Sequence, residues 1–349
     1  MDLAGSGPDA GGPPIELTTV TTDSATFHRG TDVTMVDGLQ PGSDYRRFGI
    51  AYSTLPLPPG RLRCRLATVN DVHFGETEAG RVGDSELGPI LRVAAGATPY
   101  PEMMNRAAAA ELGAADTAAP FAAVIVKGDL TSVGAPEEFA AFEDCYGTPF
   151  GARLHAVRGN HDCLAGQDDY AGDQWIGLDG VAVALLDTAV PGFDHGRIDD
   201  EQLDWLDALA SEATDPMLVM GHHPQYLGAR EDNPDFSLTP ASSAALDALF
   251  ARRPAIVAYT AGHTHRHRVQ RAGGGVPSIE VGCVKDFPGS WAEYQVYEGG
   301  VLQIVHRISA PEALAWSEQC RVLYADFGVD YAAYALGRLD DRCLAIPYR

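Results

Sequence analysis

The chain is poor in positive charge. Its 349 residues carry 25 Lys+Arg against 48 Asp+Glu, a formal net charge of -23. A surface of that sign repels polyanions, and no Lys/Arg cluster interrupts it, so nucleic acid is excluded as substrate or partner. A small anionic substrate stays open, because bound dications would reverse the local field. Long apolar runs are also missing, so no membrane span is expected. The opening stretch MDLAGSGPDAGGPP has neither the basic region nor the apolar core of a secretory signal. Cysteine is sparse: Cys64, Cys145, Cys163, Cys283, Cys320 and Cys343 form no CxxC pair. Reduced thiols and a cytoplasmic location are the simplest expectation. Cys163 follows a candidate site, and ordinary packing is its expected role. No internal repeat is visible.

What remains is a chain that is 45% apolar and long enough for a large core. Residues 1–14 are half Gly and Pro and read as disordered. Residues 15–62 read as a small β-rich segment, with strands at Ile15–Thr21, Ser24–His28 and Tyr45–Tyr52. Pro56, Pro58, Pro59 and Gly60 mark its boundary. Residues 63–310 alternate predicted strands and helices and then turn to β hairpins. The strands fall at 65–70, 121–126, 153–158, 181–187, 217–220 and 255–260. Helices are predicted over 102–113, 136–146, 199–209 and 242–252. That order suits an α/β fold with two sheets flanked by helices. Residues 311–349 read as a mostly helical extension whose aromatics pack. Gly75–Tyr100 is rich in Gly and charge and lacks periodicity, so it is predicted to overhang the site as a rim loop.

The chemistry sits at strand ends. Five short pieces carry it: Asp71-Val72-His73, Gly128-Asp129, Gly159-Asn160-His161-Asp162, Gly221-His222-His223 and Gly262-His263-Thr264-His265. Most follow apolar or β-branched runs, the way an α/β protein brings distant residues to one crevice. Asp71 with His73, and His263 with His265, sit at i and i+2, which point the same way on an extended strand. An amide oxygen such as that of Asn160 can ligate a metal without adding charge. Carboxylate, amide and imidazole together suit Mn, Fe or Zn, with Mn favoured. The ligands are too many for one tetrahedral zinc. Two ions about 3.5–4 Å apart, sharing a carboxylate, would let a bridging water attack an ester whose oxygens both ions hold. Isolated His73 or Asp129 would be unremarkable as turn or core residues; the five pieces together are not. His28, His155 and His306 read as structural or exposed.

The series DVH, GD, GNHD, GHH and GHTH resembles the calcineurin-like metallophosphoesterase superfamily over roughly residues 65–308. The resemblance implies a four-layer α/β/β/α sandwich with a dimetal site at the top of two facing sheets. It also implies roles. Asp71, His73 and His265 would hold one ion, Asn160, His222 and His263 the other, and Asp129 would bridge. His161 would face the substrate, stabilising phosphoryl oxygens or protonating the leaving oxygen, with Asp162 orienting it.

Details narrow the subgroup. Purple acid phosphatases carry a tyrosine three residues after the bridging Asp; here that place is Ser132, which argues against an iron(III)–tyrosinate centre. The protein phosphatases continue as GNHE, whereas Asp162 stands here. The stretch Leu186–Gly192 to Gly196, Gln202-Leu203 with Leu206, and His222-His223-Pro224 are similar to the bacterial cyclic-nucleotide phosphodiesterase group. By that likeness His195 would lie on the substrate side. The expected activity is hydrolysis of small phosphodiesters, with 3′,5′-cyclic nucleotides among them. The alternatives are a phosphomonoesterase and a non-catalytic binding protein on the same scaffold. A pseudoenzyme would be expected to have lost a ligand or His161, and none is lost. A homodimer is one assembly open to such a chain.

Overall fold

A computed structural model of the chain describes residues 13–348. The expected disordered start at 1–14 therefore lies almost wholly outside the described residues. Two six-stranded sheets face each other. The first runs Leu154–Val157, Ala123–Lys127, Leu62–Val69, Ser290–Tyr297, Gly300–Arg307, Leu344–Pro347. Its first three strands are parallel and the rest antiparallel. The second runs Gln174–Leu178, Val181–Leu186, Met217–Gly221, Ile256–Ala261, Pro277–Glu280, Arg268–Arg271, with a parallel centre and antiparallel edges.

Leu66 and Ile125 from the first sheet meet Val183 and Leu218 from the second in a shared apolar layer. These strands are apolar on both faces because both faces are covered. Helices Tyr100–Ala118 and Pro311–Gln319 cover the outside of the first sheet through Met104, Leu112 and Ala313. Helices Asp200–Glu212 and Pro240–Arg252 cover the second through Leu206, Leu246 and Phe250. The α/β/β/α sandwich expected from the sequence is the fold observed.

Three local readings differ from the sequence expectation. Tyr45–Tyr52 is not one strand but a hairpin, Asp44–Arg47 with Ile50–Ser53. The chain reverses at Phe48 and Gly49, whose φ angles of 50° and 81° no extended strand contains. Asp32–Val36 is an additional strand, mostly exposed, whose alternating apolar residues Val33 and Met35 face solvent. The helix expected over 136–146 is regular only for Pro136–Phe142 and then widens into a π turn over Glu143–Gly147. The N-terminal strands pack Leu17, Val20 and Phe27 against Leu302 and Ile304 of the first sheet. The C-terminal segment contributes helices at Tyr331–Leu336 and Leu339–Arg342, then the edge strand Leu344–Pro347 of that same sheet.

The insertion after Gly75 is organised by its own charges. Arg92 pairs with Glu78 at 2.9 Å and with Glu86 at 3.0 Å, and Arg81 pairs with both acids. The loop then leans on the C-terminal segment, where Gly88 N–H donates to Asp326 at 3.0 Å and Ala79 packs with Leu323 and Tyr331. Glu78, Arg81, Glu86 and Arg92 are spent on one another, Glu76 instead pairs with Lys285, and the loop forms a wall with the C-terminal segment. Among the described residues no helix is long and apolar enough to cross a membrane.

Candidate metal centre

Five parallel strands from the two sheets end at one edge of the sandwich. Leu62–Val69 delivers Asp71 and His73, Ala123–Lys127 delivers Asp129, and Leu154–Val157 delivers Asn160. Met217–Gly221 delivers His222, and Ile256–Ala261 delivers His263 and His265. All seven side chains expected as ligands from the sequence are thereby brought together.

The backbone that carries them is unusual. Asp71, His73, Asp129, His263 and His265 all have left-handed φ, between 46° and 68°. Few non-glycine residues adopt this conformation, Asp and His more readily than most, and clusters of it collect at functional sites. The i, i+2 pairs therefore do not point together because a strand alternates, as the sequence reading supposed. They point together because each chain kinks past its strand end. Asp71 is held there by the backbone N–H of His263, which donates to Oδ1 at 2.8 Å, and by Asn70 Nδ2 at 2.6 Å.

Asp129 occupies the centre. Its Oδ2 lies 3.3 Å from His73 Nε2 and 3.3 Å from His222 Nε2. Its Oδ1 accepts the backbone N–H of His161 at 3.1 Å. On one side, His265 Nε2 stands 3.8 Å from Asp71 Oδ1. On the other, His222 Nε2 is 3.1 Å from both Asn160 Oδ1 and His263 Nδ1. Donor atoms of Asp71, His73 and His265 lie within 4.8 Å of one another, as do those of Asp71, Asp129 and His222.

Several of these atoms fit a cation and little else. Both ring nitrogens of His73 and Nε2 of His263 are buried without a hydrogen-bond partner, an expensive arrangement unless something else satisfies them. His222 is pushed up to about 9: burial opposes its charge, and the Asp129 and Asp71 carboxylates overcome that opposition. Burial likewise raises Asp129, but the charges of His222 and His161 hold it well below the usual carboxylate range. A cluster that draws a proton onto a fully buried imidazole is short of positive charge, and oxygen and nitrogen donors suit first-row divalent ions. The donor set fits two cations flanking Asp129.

His161 lies at the border of the cluster. Its Nδ1 sits 2.7 Å from the Ser132 carbonyl, so Nδ1 carries the proton and Nε2 is left toward His73, whose ring centre is 4.6 Å away. The orienting partner expected from the sequence, Asp162, does something else. Its carboxylate accepts from the backbone N–H groups of Leu130, Thr131 and Gly159 and from the Thr131 hydroxyl, at 2.6–3.1 Å. Asp162 therefore clamps the Asp129 loop to the Asn160 loop, and Ser132 aims the histidine. Asp162 is raised to about 6, first by burial and then by the Asp129 charge. His195 is outside the ligand cluster, half-buried and set against Phe193 at 4.9 Å between ring centres. Cys163 is buried and its thiol faces the Gly159 carbonyl at 3.5 Å, a packing role.

Sequence reasoning missed what stands behind the ligands. His223 is fully buried, paired through Nδ1 with Thr188 at 2.8 Å, and its donor nitrogen groups with those of His222 and His263. Glu76, Lys127, Lys285 and Asp286 also converge on the centre. Lys127 is buried between the sheets and donates to Thr260 Oγ1 and to the Ala261 carbonyl, both at 3.1 Å. Burial pushes its ammonium down to about 7 against the pull of Asp71. No motif spacing announces Glu76, Lys127, Lys285 or Asp286, and although His223 lies in the Gly221-His222-His223 piece, nothing in that piece assigns it a role.

The profile of the family described as calcineurin-like phosphoesterase matches residues 64–267, more than half of the chain. The chain belongs to the calcineurin-like phosphoesterase family. Within this family it is 39% identical over 116 residues to a "Probable cyclic nucleotide phosphodiesterase" of Rhodococcus erythropolis, a match covering 29% of this chain and 38% of that one. It is 36% identical over 118 residues to a cAMP/cGMP dual specificity phosphodiesterase of Mycobacterium tuberculosis, covering 29% and 36%. A glycerophosphodiester phosphodiesterase of Enterobacter lignolyticus matches at 31% over 160 residues, covering 41% and 55%. In each case the match spans less than two thirds of the relative. Among solved structures, a dimetal phosphatase from Danio rerio superimposes with a TM-score of 0.54 at 16% identity, covering 83% of this chain and 100% of that one. That likeness speaks for the fold. Family membership and the clustered donors together make the centre a binuclear metal-binding site.

Proposed function

We propose that the chain hydrolyses small phosphodiesters, with 3′,5′-cyclic nucleotides among its substrates. The observation that carries the reading is the position of Asp129 Oδ2, 3.3 Å from an imidazole nitrogen on either side. Asp71, His73 and His265 would hold one divalent cation, and Asn160, His222 and His263 the other, with Asp129 shared. Bound there, the two cations would supply positive charge to the phosphoryl oxygens and acidify a water nucleophile. Manganese is the metal this reading favours.

The protein's own groups perform the rest. His161, its Nδ1 proton committed to Ser132, directs Nε2 at the site of reaction. Protonated there, it gives that proton to the leaving oxygen as the ester P–O bond breaks and the water oxygen bonds to phosphorus. Asp162 keeps the His161 and Asp129 loops in register. The wall built from the insertion and the C-terminal segment limits the site to small esters, and the net charge of -23 disfavours nucleic acid. The likeness of residues 186–224 to cyclic-nucleotide phosphodiesterases, and the names carried by the relatives from Rhodococcus and Mycobacterium, support a diester substrate.

The test is a substrate panel with manganese supplied: bis(p-nitrophenyl) phosphate, p-nitrophenyl phosphate, cyclic AMP and a glycerophosphodiester. The diesters should lead in kcat/KM. A monoester preferred by about a hundredfold, roughly 2.7 kcal/mol of transition-state binding, would overturn the diesterase reading in favour of a phosphatase.

A further inference from the structure

Of the 25 basic side chains other than histidine, only two are lysines, Lys127 and Lys285. Lysine is almost always a surface residue, yet both are buried at the metal centre, at 0% and 4% exposure. Lys285 is the more connected. Its Nζ donates to Glu76 Oε1 at 2.8 Å and Oε2 at 2.5 Å, and lies 4.0 Å from Asp286 Oδ2.

Each of those carboxylates stands behind one expected ligand. Glu76 Oε2 is 3.7 Å from His73 Nδ1, and His73 turns its Nε2 toward Asp129. Asp286 Oδ2 is 3.6 Å from His265 Nδ1, and His265 turns its Nε2 toward Asp71. Asp286 is itself fixed from the C-terminal helix Tyr331–Leu336, where the Tyr331 hydroxyl donates to Oδ1 at 2.7 Å, and Cys283 Sγ lies 3.0 Å from the same oxygen. The other half is backed differently: the carboxylate near the outer nitrogen of His222 is Asp71 Oδ1, at 3.9 Å, itself an expected ligand of the first half. The outer nitrogen of His222 meets a neutral backbone carbonyl, that of Lys127, at 2.9 Å.

We infer that Lys285, Glu76, Asp286 and Tyr331 form a positioning network for the Asp71/His73/His265 half alone, so that this half binds its cation more tightly than the other. A carboxylate behind a ligating imidazole orients the ring and raises its basicity, and losing one costs about 10–100-fold in metal affinity; at 3.6–3.7 Å these two act on the rings through charge rather than a hydrogen bond. Lys285 offsets part of the negative charge that Glu76 and Asp286 bring to the centre. Tyr331 makes the C-terminal segment part of the metal site, although it lies outside the stretch matched by the family profile. None of the four touches substrate; they act through His73 and His265. The inference rests on the dimetal reading above.

The experiment is calorimetric titration of the metal-free full chain with Mn²⁺ alone. Wild type should show two binding events of unequal affinity. Asp286→Asn keeps the shape and the Tyr331 hydrogen bond but removes the charge. It should weaken the tighter event about 10–100-fold and leave the weaker within about twofold. Tyr331→Phe, which deletes one hydroxyl and preserves packing, should shift the same event in the same direction by a smaller factor. In an Asn160→Ala background only the event sensitive to Asp286→Asn should persist. Equal weakening of both events, or no shift in a folded Asp286→Asn protein, would overturn the network. Failure of wild type to bind Mn²⁺ would instead overturn the dimetal reading, and this inference with it.

Discussion

The backbone of Gly159 lies against the Asp129 carboxylate. A methyl group at residue 159 would overlap Oδ1 and stand 2.5 Å from the Asp129 backbone nitrogen and 2.8 Å from His222 Nε2. The glycine exists because no side chain fits between the Asp129 carboxylate and the loop that carries Asn160. Gly159→Ala must therefore push Asp129 away from one or both imidazoles. We expect metal content well below two ions per chain and kcat/KM lower by about 10², the usual consequence of a misplacement near 1 Å. Elemental analysis beside steady-state kinetics checks this. A protein with two ions and normal rates would show that the loop yields without cost.

His161→Ala should separate chemistry from metal binding. The imidazole is aimed by Ser132 and leaves Asp129 tied only through the backbone N–H of residue 161, which alanine retains. Metal content should stay near two while kcat falls by about 10²–10⁴, the value of a positioned proton donor. Loss of one ion would mean that His161 is a ligand.

Phe236 stands on the rim with its ring centre 5.9 Å from that of His263, and it is 47% exposed. An exposed aromatic beside an expected metal ligand offers a face to a planar esterified group. Stacking of a base on such a ring is worth about 1–3 kcal/mol. Phe236→Ala should raise KM for cyclic AMP and for bis(p-nitrophenyl) phosphate by about tenfold while leaving a glycerophosphodiester unchanged. Equal effects on all three would assign the ring to folding rather than recognition.

Away from the site, His28 makes stability depend on acid. Burial, helped by the Arg307 charge, lowers its pKa from 6.5 to about 3. As pH falls through 6.5 the unfolded chain takes up a proton that the folded chain refuses, so folding loses up to about 1.4 kcal/mol per pH unit between 6.5 and 3. His28→Gln cannot titrate and keeps a polar group for the Thr18 hydroxyl, 2.8 Å from the ring. Its melting temperature should fall less than that of wild type between pH 6.5 and 4. Parallel curves would show that other groups govern the acid limb.

The seven convergent side chains were legible in the sequence because each sits just past an apolar strand, in a short motif of distinctive composition. The alternation of those strands with helices, followed by hairpins, likewise led to the two-sheet sandwich. Local order was less legible where it depends on a turn or on a neighbour. The Phe48–Gly49 reversal splits what reads as one strand, and the five-residue strand Asp32–Val36 is too short for its Val33/Met35 alternation to stand out.

What the sequence determined by itself was the set of donors and the end of the sheets at which they meet, since strand order and residue type are local properties. What only the tertiary structure decided was the direction and support of each donor. Left-handed backbone at Asp71 and His265, the Ser132 carbonyl behind His161, and Asp162 clamping two loops all depend on contacts between distant segments. The same holds for Lys285, Asp286 and Tyr331, which lie more than 200 residues beyond Asp71 in the chain. Each is unremarkable in its own stretch of sequence. Burial makes their charges and hydrogen bonds count, and burial is a property of the folded chain alone.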